Sequence, residues 1–75
     1  MTLDKLGPYK RAIIEEVIAE PSFRRRLLEL GFVPGTEIEN ISPVSTADPK
    51  CFLIRGTYIS LTLKDAGGVI INEIR

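Results

Sequence analysis

The sequence predicts a mainly β domain, a small barrel of about five short strands with one short α-helix between the first two. Three observations carry that prediction. Apolar residues alternate with polar ones through Phe52, Ile54, Ile59, Leu61 and Leu63, the period of a half-buried strand. Turn residues such as Gly7-Pro8, Pro34-Gly35, Gly56-Thr57 and Gly67-Gly68 recur along the chain, which keeps every strand short. Helical spacing is carried by Phe23, Leu27 and Leu30, at i, i+4 and i+7, with Leu28 widening the stripe.

The elements follow in order. After Gly7-Pro8, the β-branched run Ile13, Ile14, Val17 and Ile18 reads as a strand from Tyr9 to Ile18. Ala12 and Ile14 share one face and Val17 falls on the other, so a bulge is expected near Glu15 or Glu16. Glu20-Pro21-Ser22 opens the helix, because proline suits the first turn and Glu or Ser accepts from free N–H groups. The helix stops at Gly31, and Pro34-Gly35 supplies the fixed φ and the positive φ of a type II turn, aiming the chain into a strand that starts at Thr36. The same loss of parity recurs between Ile38 and Ile41. Two prolines and three hydroxyl residues make Ser42 to Pro49 a loop. Cys51 to Arg55 and Tyr58 to Leu63 form a hairpin across Gly56-Thr57, Lys64 to Gly68 makes one helical turn, and Val69 to Ile74 closes the sheet. Five strands and one helix in this order describe a small barrel of the SH3 type, which limits exposed edges by curling on itself.

Composition bounds the function. Seventy-five residues make one domain, 1–75, which buries only about 60% of its unfolded surface, so margins are thin. Ten basic and ten acidic residues cancel, which removes the positive field of a nonspecific nucleic-acid binder; no nucleic-acid partner is expected. With one cysteine and no histidine, neither an internal disulfide nor a four-ligand zinc site can be assembled, and a reducing compartment fits. No apolar run approaches the ~20 residues that span a bilayer, and Met1 to Lys5 lacks the apolar core of a signal peptide. The expectation is a cytoplasmic chain without membrane insertion.

Enzymatic chemistry lacks its parts. There is no imidazole to act as base or to activate Cys51, and no phosphate-cradling glycine loop. Glu15-Glu16 and Glu37-Glu39 are carboxylate pairs without further ligands, best read as solvated strand faces. No catalytic or metal residue and no cofactor is therefore assigned. Arg24-Arg25-Arg26 fan out by about 100° per residue, so they form no single patch, and Arg25 is spaced to pair with Glu29. Cations at a helix N-terminus nonetheless oppose its dipole, at a cost of about 0.3–1 kcal/mol, which makes Arg24 and Arg25 candidates for contact with a partner.

The segment Arg24-Arg25-Arg26-Leu27-Leu28-Glu29-Leu30-Gly31-Phe32-Val33-Pro34-Gly35-Thr36-Glu37-Ile38 closely resembles the signature of the ferrous iron transport protein A family, FeoA. The likeness continues through Asp48-Pro49, Arg55-Gly56, Ile59-Ser60-Leu61 and Asp65-Ala66. It implies an SH3-like, cytosolic, non-catalytic domain that binds the ferrous iron permease, whose cytosolic part is a GTPase. The resemblance extends to a module at the carboxyl end of iron-dependent repressors, so a metal-responsive regulatory domain is the alternative, and the resemblance leaves room for weak transition-metal binding.

Ile13 and Leu53 are apolar where the family is polar, and each points opposite to its inward neighbours. They are read as parts of an exposed apolar patch for partner docking or for a homodimer, the competing reading being cover by the loop or the helix. With Leu28 on the helix and Tyr58 after the Arg55-Gly56 pair, the candidate partner-binding residues are Arg24, Arg25, Leu28, Ile13, Leu53 and Tyr58.

Overall fold

A computed structural model describes residues 1–74; Arg75, the last residue of the expected domain, lies outside the described residues. The chain opens with a 3₁₀ turn, Leu3–Lys5, and continues as β1 (Arg11–Val17), α1 (Pro21–Glu29), β2 (Glu37–Asn40), β3 (Lys50–Ile54), β4 (Thr57–Leu61), α2 (Leu63–Ala66) and β5 (Val69–Glu73). The strands form one antiparallel sheet in the order β4-β3-β2-β1-β5. Mainly β architecture with α1 between the first two strands is thus as the sequence predicts. The outermost strands β4 and β5 do not pair with each other. Instead, α2 packs against β4 and the 3₁₀ turn, which itself packs against β5.

Side-chain alternation builds the core. Ala12, Ile14 and Val17 of β1, Ile38 of β2, Phe52 and Ile54 of β3, Leu61 of β4, and Val69 and Ile71 of β5 are buried together with Leu27 and Phe32. The change of parity in β1 occurs where expected, as a register shift between Ile14 and Glu16 against β5. Leu3 and Leu6 are also fully buried, a contribution from the amino terminus that no periodicity announced.

The helix is held at both ends. The Glu20 carboxylate accepts from the backbone N–H of Ser22 (3.1 Å) and Phe23 (3.2 Å) and from Ser22 Oγ (2.7 Å), serving groups that have no partner inside the helix. At the other end, Gly31 takes φ 111°, its N–H donates to Leu28 O (3.1 Å), and Phe32 N–H donates to Leu27 O (2.9 Å). This paired closure leads the buried Phe32 under the helix. Thr36 N–H then donates to Val33 O (3.0 Å) across Pro34-Gly35, with Gly35 at φ 94°, the expected type II turn.

Several expectations are corrected. Leu30 is 44% exposed, since it is the last residue before the reversal and Phe32 takes the core position. The first strand begins at Arg11 because Tyr9 adopts φ 60°, outside the strand region. No slip interrupts β2: Asn40 itself points inward after Ile38, fully buried, with Nδ2 donating to Leu6 O (2.8 Å) and Oδ1 accepting from Ser42 N–H (2.9 Å). The hairpin pairs Ile54 with Thr57, so its two-residue loop is Arg55-Gly56, one place earlier than Gly56-Thr57. Leu63 belongs to α2 rather than to β4, because Thr62 Oγ1 accepts from Asp65 N–H (3.1 Å) and starts a helical turn there.

Candidate docking surface

The outward face of the sheet and the adjoining end of α1 form the candidate surface. Across the sheet, Tyr58 of β4 stands opposite Leu53 of β3, Leu53 opposite Glu39 of β2, and Glu39 opposite Arg11 of β1. Two residues along, Glu37 stands opposite Ile13, which in turn faces Asn72 of β5. Arg11 crosses diagonally to Glu37, Nη1 to Oε2 3.4 Å, both side chains half exposed, a pair worth tenths of a kcal/mol, up to about 1. Next to this row, Thr36, Glu37, Glu39, Leu53, Arg55 and Gly56 line a shallow open groove. Leu53 supplies apolar surface, two carboxylates lie along β2, and a guanidinium hangs from the hairpin loop.

Arg55 is the unusual member. It occupies φ 50° and Gly56 φ 77°, the left-handed pair that a two-residue hairpin loop of the I′ type requires. Glycine or asparagine fits the first of these positions, whereas an ordinary residue there costs about 1–2 kcal/mol. Its side chain runs back over the end of α1: Cδ stands 2.9 Å from where a Cβ on Gly31 would be. Helix end and hairpin loop therefore abut through an arginine stem on a glycine, and any side chain at Gly31 would displace Arg55.

The six residues singled out from the sequence are distributed unevenly. Leu53 and Tyr58 are cross-strand neighbours, half-buried and 68% exposed respectively. Ile13 is half-buried on the same outward face, but β2, with Glu37 and Glu39, separates it from Leu53. Arg25 is exposed and Leu28 half-buried on α1. Arg24 is exposed but tethered, its Nε donating to Val17 O (3.2 Å), which fastens the start of α1 to the end of β1. The expected Arg25–Glu29 pair does not form; among the described residues the ion pair present is Arg11–Glu37. Holding two long exposed side chains in one geometry costs about as much as such a pair gains.

Sequence reasoning missed Arg55 as a surface residue and Lys50 as a buried one. Lys50 takes an inward position in β3, and its Nζ donates to Ser45 O (2.8 Å), tying the Ser42 to Pro49 loop to the sheet. The strict alternation of Lys50 with Phe52 and Ile54 was the available signal. Glu20 has its pKa held below the usual glutamate value, first by the Ser22 hydroxyl, then by the Ser22 and Phe23 N–H groups. No group of three or more His, Cys, Asp or Glu side chains able to hold a metal ion occurs among the described residues. No helix among them is long and apolar enough to cross a membrane. The surface presents one apolar pair, Leu53 and Tyr58, beside charges of both signs.

Residues 1–73 match the family described as the FeoA domain. The solution structure of an FeoA protein from Chlorobium tepidum superposes with a TM-score of 0.91 at 29% identity, covering 100% of this chain and 71% of that one. Zinc-complexed FeoA from Stenotrophomonas maltophilia, described as a procaryotic SH3 domain protein and suggested as a ferrous iron transport activating factor, gives a TM-score of 0.86 at 32% identity, covering 96% and 89%. A fusion protein of Fe(2+) transport protein A and the Fe(2+) transporter FeoB from Porphyromonas gingivalis is 32% identical over 74 residues, 99% of this chain; the chain spans 9% of its length.

Proposed function

The chain belongs to the FeoA family, which is linked to ferrous iron transport, and on that premise we propose that it is a non-catalytic cytosolic accessory or regulatory protein of ferrous iron uptake that binds the cytosolic, GTPase-containing region of the permease. The observation that carries this reading is the fusion relative, in which a segment like this chain is joined to an FeoB transporter in one polypeptide. Covalent linkage raises the effective concentration of two modules that work together, to about the millimolar range for a short flexible linker.

The outward sheet face supports that role. Leu53 and Tyr58 provide the apolar anchor, Glu37 and Glu39 select a basic neighbour, and Arg55 selects an acidic one. Strained φ at Arg55 points the same way, because strain retained on a surface loop is a marker of use rather than of stability. Arg25 and Leu28 extend the contact along α1, and Ile13 lies at its far margin across β2. Arg24 serves the fold first, through Val17.

Titration of the isolated cytosolic region of the permease with this protein, by calorimetry with and without guanine nucleotide, tests the proposal. Saturable one-to-one binding in at least one nucleotide state is expected. Absence of binding in both states would overturn it.

A further inference from the structure

The loop between β2 and β3 is held differently from the rest of the chain. Its two ends are firm: Ser42 is buried, its N–H donating to Asn40 Oδ1 (2.9 Å) and its Oγ accepting from Cys51 N–H (2.7 Å), and Lys50 stands opposite Leu61 in the sheet. Between them, residues 43–49 place nothing in the core; Val44 is 56% exposed, and Ala47 alone is half-buried. One backbone bond closes the span on itself, Ala47 N–H donating to Val44 O (3.1 Å). Among the described residues, two side-chain bonds fasten it to the fold. Lys50 Nζ donates to Ser45 O (2.8 Å), and Asp48 Oδ1 accepts from Leu63 N–H (3.0 Å) at the start of α2.

The first of these latches carries an opposing cost. Lys50 is 3% exposed, and its ammonium, with three N–H groups, has one protein acceptor and no carboxylate partner among the described residues. A cation taken out of water without a counter-charge is costly to keep there, and because Nζ reaches Ser45 O, opening the loop returns it to water. No apolar burial by residues 43–49 offsets that gain, so opening here costs far less than opening a strand.

We infer that residues 43–49 form a strap that opens as a unit while the sheet stays folded, presenting Lys50 as a surface cation that the closed form hides. The turn closed by Ala47 N–H joins Ser45 to Asp48 in one short span, so release of either latch weakens the other. Opening leaves Thr62 Oγ1 accepting from Asp65 N–H, so α2 keeps its own cap and does not unwind with the strap. The closed form dominates, and the open form adds one positive charge beside the end of β4 and the start of α2.

Labelling of the whole protein with an amine-reactive reagent, read residue by residue by mass spectrometry, tests the inference without the permease and so separately from permease binding. Lys50 should react more slowly than the exposed Lys5 and Lys10, with a rate that rises with urea, below the unfolding transition, much less steeply than global unfolding does. Asp48→Ala removes the latch that does not touch Nζ; it should speed Lys50 labelling and Ala47 amide hydrogen exchange about fivefold, with Lys5, Lys10 and Tm little changed. Asp48→Asn keeps an oxygen acceptor for Leu63 N–H and should stay near the wild-type rates. Reaction of Lys50 through global unfolding alone, or a labelling rate indifferent to Asp48→Ala, would overturn the inference.

Discussion

One sheet presents two faces built from the same strands, and they differ in what they tolerate. The inward face sets Ala12, Ile14, Ile38, Phe52, Ile54, Leu61, Val69 and Ile71 at or near zero exposure, while its polar members, Asn40 and Lys50, are each tied to a backbone carbonyl. The outward face alternates Tyr58, Leu53, Glu39 and Arg11 across four strands, all at least partly exposed. Adjacent residues along one strand thus answer to different physics: volume and hydrogen-bond satisfaction inside, solvation and cross-strand pairing outside.

Substitutions break this contrast in a graded way. Phe52→Ala, inside, should cost about 3–5 kcal/mol and leave so small a domain largely unfolded, as seen in a chemical denaturation curve. Leu27→Ala, at the one fully buried position of α1, should cost about 2–5 kcal/mol by the same measurement; a loss below 1 would place that side chain outside the core. Asn40→Ala strands Leu6 O and Ser42 N–H without their partner and should cost about 1–3 kcal/mol per orphaned group. Outside, Leu53→Ala, one residue from Phe52, should change stability by less than about 1 kcal/mol while weakening binding to the permease region.

The smallest effect is a pH dependence. The Glu20 carboxylate is held below its usual pKa by the Ser22 hydroxyl and the two N–H groups, so its contribution to α1 is complete above the unfolded-state value and is lost as pH falls through the folded-state value. Helical circular dichroism of the wild type should decline over that acidic window, and Glu20→Gln should flatten the response.

How much of this was legible in the sequence depends on how local each interaction is. Pro34-Gly35, the Glu20 cap, the bulge in β1 and the alternation through Phe52 and Ile54 depend on residues a few positions apart, and all were readable. Leu3 and Leu6 sit in and beside a three-residue 3₁₀ turn, too short to show a period, and are buried only because α2 and β5 close over that turn. Asn40 and Lys50 look like surface residues by type; their inward positions become tolerable through Leu6 O and Ser45 O, partners that a strand pattern does not reveal. For the surface, Leu53 and Tyr58 were legible as outward residues from parity. Arg55 was not, since a positive φ at arginine runs against propensity and its contact with Gly31 spans the fold.

Arg55 is therefore the residue at which a partner role for the outward face and its hairpin loop, as proposed above, separates from a role in the fold. Arg55→Asn relieves the left-handed backbone while removing the guanidinium, and its affinity for the cytosolic permease region is to be measured beside its Tm. An unchanged or raised Tm is expected, with binding weakened about tenfold or more. Unaltered affinity, or a loss of stability that explains the loss of binding, would contradict it.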